Sequence, residues 1–285
     1  MRILLAQLSP VPGDFERNTA RLEEAVRAAP CDLAIFPELF LSGYRIGDRF
    51  HRLALRPGDE RLSRLRGLAR TSRATVVVGT PVTSVERSGE VHNAALAVPP
   101  EGEPSFQAKR YLPTFGPFEE GVQFTPADRS HPVRISGSSV GLEICYDAFF
   151  PEVSRDLALG GAEILVNISA APVTSRRLFE KVLAARAVEN AMPVVYVNRV
   201  GVEDGVVFGG GSGAWDPRGE PIPTEHVSFA PAEPEEGLAL VEIDLSEAAH
   251  WRPFRPVLRD LAGRSGTSEP GPTTSRAHSI PTRPL

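Results

Sequence analysis

Residues 140–152, VGLEICYDAFFPE, place a cysteine directly after an apolar run and before a segment typical of a turn. A buried strand that ends at Cys145 would expose the thiol at the carboxyl edge of a sheet, where a nucleophile can reach a substrate. The backbone amide of Tyr146 would then be placed to donate to a developing oxyanion. A free cysteine is also a common small core residue, so this position alone leaves both interpretations open.

Strand-like and helix-like patterns alternate on both sides of this segment. Strands are predicted at 2–8, 33–36, 75–80, 92–98, 140–144, 164–168, 193–198 and 238–243, and amphipathic helices at 15–28, 60–70, 151–159 and 177–190. Ser175 is predicted to cap the last of these helices. Because some strands follow one another without a helix between them, the pattern predicts an α/β fold with mixed sheets, two of them packed face to face, and helices outside.

The domain organisation follows from composition along the chain. No linker divides residues 1–245, and residues 225–237 are predicted to form a surface loop. From about Ala262 the chain is rich in Gly, Ser, Thr, Pro and Arg, and such a segment buries too little apolar surface to offset its ordering entropy. The sequence therefore predicts one domain over residues 1–260 and a disordered tail over residues 261–285.

Composition excludes several classes of function. Hydrophobic residues make up 41% of the chain and the formal net charge is -5, which argues for a folded protein and against nucleic-acid or anionic-membrane binding. The apolar runs fall short of the roughly 20 residues that a membrane helix needs. Two cysteines exclude a disulfide scaffold and predict a cytoplasmic location. The histidines lack metal-ligand spacing, the glycines at 209–211 do not open a phosphate-binding helix, and no G-x-S-x-G is present.

Two further side chains are candidates for catalysis. Glu38 follows the apolar run LAIFP, so its carboxylate would be partly desolvated, which suits a general base; a surface glutamate is the alternative. Lys109 lies in FQAKRYLP and could stabilise a tetrahedral intermediate with its compact charge. Only Lys109 and Lys181 are lysines among 31 basic residues, and Lys181 is expected on a solvated helix face.

Two glutamates follow the lysine in TFGPFEEGVQF, between Phe118 and Phe124. Either Glu119 or Glu120 could be held by the aromatic rings and orient the lysine. Loop glutamates are common, so this segment alone is weak evidence. Cys31, at the entrance to another predicted strand, is expected to be a structural residue.

Taken together, these segments resemble the nitrilase superfamily of carbon–nitrogen hydrolases over about residues 1–245. FPELFLSGY resembles its glutamate motif, AKRYLPTFGPFEE its lysine motif and GLEICYDAFFPE its nucleophile motif, which correspond to Glu38, Lys109 and Cys145. Glu120 aligns best with a further glutamate of the family, and LAARAVENAMPVVYVNRVG matches as well. The resemblance implies a four-layer αββα sandwich, assembly as homodimers or higher homo-oligomers, and no cofactor or metal.

The resemblance also implies a mechanism. Glu38 takes the thiol proton, Cys145 attacks an amide carbon, and Lys109 and the Tyr146 amide stabilise the oxyanion. Ammonia or an amine leaves, and water then hydrolyses the thioester. The expected function is that of a free-standing amidase acting on a small linear carboxamide.

Some segments look most like the glutaminase domain of glutamine-dependent NAD synthetases. In that branch, polar groups after the VNIS strand hold the substrate, which makes Ser169, Arg176 and Arg177 candidates, with one arginine as a carboxylate partner. Three features favour the amidase: the chain stops near 285 without a synthetase domain, FFPE follows the nucleophile, and Phe115 stands where glutaminases often carry tyrosine. A glutaminase that supplies a separate synthetase, a catalytically silent subunit, and nitrile or carbamoyl hydrolysis remain alternatives.

Overall fold

The computed structural model describes residues 1–56, 58–84, 87–228 and 235–262. The strands are β1 (Arg2–Gln7), β2 (Leu33–Ile35), β3 (Thr75–Thr83), β4 (Val91–Val98), β5 (Ser105–Ala108), β6 (Val133–Ile135), β7 (Ser138–Ile144), β8 (Ile164–Ser169), β9 (Val194–Asn198), β10 (Val200–Glu203), β11 (Val206–Gly209), β12 (Gly213–Trp215), β13 (Glu225–Ser228) and β14 (Gly237–Glu242). The helices are α1 (Phe15–Ala28), α2 (Phe50–Leu53), α3 (Glu60–Ser72), α4 (Glu120–Gln123), α5 (Pro151–Leu159), α6 (Arg176–Asn190), α7 (Ser246–Trp251) and α8 (Val257–Ala262).

These strands form two mixed sheets and one separate hairpin. The larger sheet has the order β13–β14–β1–β2–β3–β4–β5, and the smaller one has the order β12–β9–β8–β7–β6. Strands β1, β2 and β3 run parallel, as do β7, β8 and β9, because helices cross over between them. Strands β3 and β4 follow each other without a helix and pair antiparallel. The predicted mixed sheets are confirmed.

Successive side chains of a strand point to opposite faces of the sheet, so each sheet packs on both faces and the fold has four layers. On β1, Ile3 and Leu5 belong to the core between the two sheets, whereas Leu4 packs on the other face with Leu22 of α1 and Leu65 of α3. Helices α5 and α6 cover the outer face of the smaller sheet. The layers are therefore α1/α3, larger sheet, smaller sheet and α5/α6, which confirms the four-layer αββα sandwich.

The structure corrects two local predictions. Ser175 does precede α6, but its side chain makes no capping hydrogen bond, because a short 3₁₀ turn (Val173–Ser175) leads into the helix and gives Ser175 helical dihedral angles. The predicted loop at 225–237 includes the strand β13, which pairs with β14 at the edge of the larger sheet. Helix α8 includes residues 261 and 262 of the predicted tail, and residues 263–285 lie outside the described residues.

Gly79 of β3 lets this strand lie directly against the segment that carries Glu38. Its N–H donates to the carbonyl of Pro37 at 3.0 Å, and its carbonyl accepts from the N–H of Leu41 at 3.2 Å. A Cβ atom at position 79 would lie 2.2 Å from the nitrogen of Leu39 and 2.5 Å from the Cα of Glu38. The absence of a side chain at Gly79 therefore fixes where Glu38 lies.

We expect Gly79→Ala to lower the free energy of unfolding by about 1–3 kcal/mol, because the new methyl group meets backbone atoms that cannot rotate away. Urea unfolding measures this loss. Gly67→Ala is the matched control, since Gly67 lies in α3 and nothing is within 4 Å of a Cβ there. The control should be stabilised by up to about 1 kcal/mol. Equal stability of Gly79→Ala and the parent protein would contradict the close approach.

Candidate active site

Glu38 lies just beyond the carboxyl end of β2 and is fully buried. Its Oε1 atom accepts from Lys109 Nζ at 2.6 Å and from Asn93 Nδ2 at 2.7 Å. Its Oε2 atom accepts from the backbone N–H of Ala170 at 2.8 Å, at the end of β8 in the other sheet. The surface-loop interpretation of this glutamate is wrong, because both oxygens are held inside the protein.

Lys109 follows β5 and is fully buried between two carboxylates. Its Nζ atom is 2.6 Å from Glu38 Oε1 and 2.7 Å from Glu120 Oε1. Burial alone would lower the pKa of Lys109, but the charges of Glu120 and Glu38 together raise it well above its usual value. The lysine therefore stays a cation, and the two carboxylates use two of its three N–H donors.

Glu120, at the start of α4, is the second carboxylate on the lysine. Burial raises its pKa to about 7; the charge of Lys109 acts to lower this pKa and the charge of Glu38 to raise it. The hydroxyl of Tyr44 donates to its Oε1 atom, and Asn93 Nδ2 lies 3.3 Å from its Oε2 atom. Of the two glutamates in the motif, the structure brings Glu120 to the lysine and leaves Glu119 exposed.

Cys145 stands at the junction of β7 and a 3₁₀ turn (Cys145–Phe149). Its φ angle of 50° is left-handed, a conformation that costs a non-glycine residue about 1–2 kcal/mol. Burial raises the pKa of the thiol above its usual value, the charges of Glu38 and Glu120 raise it further, and the charge of Lys109 lowers it. Both carboxylates and the lysine therefore act on the thiol, and the sharp turn predicted after β7 is present.

Asp147 holds this turn against the segment that follows Lys109. Its carboxylate accepts from the backbone N–H groups of Tyr111 at 2.9 Å, Arg110 at 3.1 Å and Ile144 at 3.2 Å. Burial raises the pKa of Asp147 to about 7, against the lowering effect of Lys109 and of these hydrogen bonds. Asp147 thus joins the two segments that carry the lysine and the cysteine.

A cavity of about 170 Å³ opens onto Cys145. Its walls are mostly aromatic or apolar, and none of the described lining residues carries a charge: Tyr44, Pro113, Phe115, Phe118, Tyr146, Phe149, Ala171, Pro172, Ser175, Leu178 and Phe179. The Phe115 ring packs edge-to-face on Tyr146, with ring centroids 5.3 Å apart, and is 54% exposed at the surface. The cavity therefore offers an apolar environment to whatever approaches the thiol.

The predicted substrate-binding residues divide into two groups. Phe115 and Tyr146 line the cavity. Ser169 is fully buried, is absent from the described lining and donates to Asn167 Oδ1 at 2.8 Å. Arg176 is absent from the described lining, and its Nε atom is 3.4 Å from Glu180 of the same helix, while Arg177 is exposed.

Three residues of the site were missed from the sequence: Asn93, Tyr44 and Asp147. Asn93 lies in the buried strand β4, where a polar residue among alanines and leucine was a usable signal. Tyr44 and Asp147 stand inside the quoted glutamate and nucleophile motifs, so their positions were visible but their contacts were not. The Oδ1 atom of Asn93 is buried and has no hydrogen-bond partner among the described residues.

Cys31 and Lys181 behave as the sequence indicates. Burial raises the pKa of the Cys31 thiol to about 11, which makes it unreactive near neutral pH. Lys181 is exposed on α6. Within the described ranges, no group of three or more His, Cys, Asp or Glu side chains is arranged to hold a metal ion. None of the helices described is long and apolar enough to cross a membrane.

Comparison with known proteins identifies the family. The family model described as carbon–nitrogen hydrolase matches residues 2–253, so the chain belongs to this family, the nitrilase superfamily of hydrolases that act on C–N bonds. It is 35% identical over 263 residues to an (R)-stereoselective amidase of Pseudomonas sp., with 91% of each chain covered. It is also 36% identical over 255 residues to a glutamine-dependent NAD(+) synthetase of Thermotoga maritima.

These comparisons differ in how much of each relative they cover. The match to the synthetase covers 87% of this chain but only 42% of the synthetase. Among solved structures, an amidase from Nesterenkonia sp. superposes with a TM-score of 0.74 at 30% identity, covering 92% of this chain and 96% of the amidase. A carbon–nitrogen hydrolase from Helicobacter pylori superposes with a TM-score of 0.78 at 26% identity, covering 91% and 94%. The fold is therefore shared with enzymes of this family.

We expect Lys109→Arg to disrupt the site although it keeps the charge, because a planar guanidinium is larger and cannot occupy a fully buried position between two carboxylates. The rate at which iodoacetamide alkylates Cys145 should fall about tenfold, since the cation moves away from the thiol. Peptide mapping by mass spectrometry separates Cys145 from Cys31. Lys181→Arg is the matched control and should leave the rate unchanged. An unchanged rate in Lys109→Arg would show that the lysine position is not constrained.

Proposed function

We propose that the protein is an amidase that hydrolyses a small linear carboxamide with an apolar acyl group to a carboxylic acid and ammonia. The observation that carries this proposal is the convergence of Glu38, Lys109, Glu120 and Cys145 beside a cavity whose described lining residues carry no charge. A mutant of the amidase from Nesterenkonia sp. AN1 carries acrylamide added to its active-site cysteine, which supports Cys145 as the nucleophile.

In the first half of the reaction, Glu38 accepts the thiol proton while Cys145 Sγ forms a bond to the amide carbon. The negative charge moves to the carbonyl oxygen, where the third N–H of Lys109 and the Tyr146 amide stabilise it. The intermediate then collapses, the C–N bond breaks, and the nitrogen takes the proton from Glu38 and leaves as ammonia. Because its pKa is raised so far, Lys109 acts as a fixed charge rather than as a proton donor.

In the second half, water attacks the thioester while Glu38 accepts a proton from it. The C–S bond breaks, the acid leaves, and Glu38 returns its proton to the Cys145 sulfur. No cofactor takes part in this scheme. Nitrile and carbamoyl hydrolysis would use the same residues, and the amide panel below includes both.

The lining of the cavity argues for an apolar acyl group. Burial of a CH₂ group contributes about 0.8 kcal/mol, whereas burial of an unpaired charge is strongly unfavourable. Glutamine would bring both an ammonium and a carboxylate group towards the walls formed by Phe115, Tyr146 and Phe179. Among the described lining residues, no side chain offers a charge to pair with either group.

A glutaminase that supplies ammonia to a synthetase is the second candidate, because the chain is 36% identical to the Thermotoga maritima enzyme over 255 residues. In this case Arg176 would leave Glu180 and bind the substrate carboxylate. A catalytically silent subunit is set aside, since the complete set of charged residues around Cys145 is present. Assembly as a homodimer or higher homo-oligomer and a cytoplasmic location stay predictions.

We expect kcat/KM to rise about fourfold per methylene from acetamide to propionamide to butyramide, because each CH₂ group enters the apolar cavity. Glutamine should react at least about tenfold more slowly than butyramide. Ammonia release measures both, with butyronitrile and an N-carbamoyl compound in the same panel.

Cys145→Ala, checked for native circular dichroism, is the control and should release no ammonia. Glutamine as the best substrate, with activity lost in Arg176→Ala, would replace the proposal with the glutaminase. Full activity of folded Cys145→Ala would contradict both.

A further inference from the structure

A buried ion pair lies beside the site but outside the proposed mechanism. Arg199, between β9 and β10, donates through Nη1 to Glu203 Oε2 at the end of β10, and both side chains are buried. The guanidinium carbon of Arg199 stands 4.0 Å from the centroid of the Phe208 ring on β11. Burial of such a pair is rarely stabilising by itself, so its presence in this hairpin calls for another reason.

The Glu203 carboxylate also binds the backbone of the segment that follows Glu38. It accepts from the N–H of Tyr44 at 3.0 Å and from the N–H of Arg45 at 2.7 Å. Gly43 precedes these residues with a φ angle of +83°, and a Cβ there would lie 3.3 Å from Glu203 Oε1 and 2.8 Å from Pro12 Cα. The glycine therefore allows the chain to approach the carboxylate closely.

The same hairpin holds the side chain of Tyr44. Its ring packs edge-to-face on Phe208 and on Phe118, with ring centroids 6.0 Å apart in each pair. The Tyr44 hydroxyl donates to Glu120, which in turn holds Lys109 at 2.7 Å. A continuous chain of contacts thus runs from the Arg199–Glu203 pair through Tyr44 to the lysine.

We propose that Glu203, itself fixed by Arg199, is a positioning residue that holds the Tyr44 hydroxyl on Glu120 and thereby keeps Lys109 in place for the reaction. This inference rests on the proposed function of Lys109. A charged carboxylate suits the role, because its two oxygens receive three donors: the N–H groups of Tyr44 and Arg45 and the guanidinium of Arg199.

The test compares Glu203→Gln, Tyr44→Phe and the double variant. Each single variant should lower kcat for butyramide about tenfold with KM changed less than about twofold, because the lysine is displaced while the apolar cavity stays. If Glu203 acts through Tyr44, the double variant should be no more than about twofold slower than Tyr44→Phe. A hundredfold loss in the double variant would mean independent effects and would overturn the proposal.

The pH profile separates positioning from a general loss of stability. Glu120 faces Lys109, Glu38 and Tyr44, and the Tyr44 hydroxyl favours its charged form. Loss of that donor raises the pKa of Glu120, so the acid limb of kcat/KM should move to higher pH in Tyr44→Phe and in Glu203→Gln. A lower melting temperature with unchanged kcat and pH profile would reduce Glu203 to a structural residue.

Asp204→Asn is the matched control. Its carboxylate is on the same hairpin and is exposed, and it binds the Arg45 side chain rather than the backbone. Its kcat should stay within about twofold of the parent value. If Glu203→Gln does not fold, the test rests on Tyr44→Phe. An unchanged kcat and an unchanged pH profile in Tyr44→Phe would then overturn the proposal.

A readout without substrate keeps this inference separate from the proposed function. The rate of Cys145 alkylation by iodoacetamide against pH should shift to higher pH in both single variants, because the lysine that favours the thiolate is displaced. A shift without turnover of any amide would retain the positioning role and reject the amidase. If the parent protein turns over an amide but the variants show neither a shift nor a change in kcat, the amidase is retained and the positioning role is rejected.

Discussion

The buried contact between Lys109 and the carboxylates of Glu38 and Glu120 is the constraint on which the site depends. Removal of three charged groups from water costs several kcal/mol per ion, and two adjacent carboxylates repel each other, so the three groups are stable only together. Each comes from a different segment: the end of β2, the end of β5 and the start of α4. The ion triplet therefore joins these segments, and Asp147 attaches the turn that carries Cys145 to them.

Most of the longer helices and strands could be predicted, because their apolar residues recur with a clear period along the sequence. Helices α1 and α5 have the predicted bounds, and the eight predicted strands are present within a few residues. Short strands such as β6, β10, β11, β12 and β13 were missed, since three- or four-residue strands are decided by pairing rather than by local sequence. The prediction that Ser175 caps α6 was wrong, because the sequence pattern does not reveal the 3₁₀ turn that precedes the helix.

The residues of the site likewise fall into two sets: those that a sequence motif predicts and those whose role depends on contacts between distant parts of the chain. Glu38, Lys109, Glu120 and Cys145 were predicted because ordered motifs carry them, and the structure brings all four together. The roles of Tyr44, Asp147 and Glu203 depend on contacts such as that between Tyr44 and Glu203, which are 159 residues apart in the chain. No local pattern reports such a contact. The resemblance to the glutaminase branch made Arg176 or Arg177 the predicted carboxylate partner, yet Arg176 pairs with Glu180 one helical turn away and Arg177 is exposed.

The covalent step is the centre of the proposed chemistry and can be observed directly. The enzyme is mixed with butyramide, quenched with acid on the millisecond scale, and analysed by intact mass and peptide mapping. We predict a transient gain in mass equal to one butyryl group in place of one hydrogen, on the peptide that contains Cys145 and absent in Cys145→Ala. Steady release of ammonia with no adduct at any quench time, or with the acyl group on another residue, would contradict a thioester at Cys145.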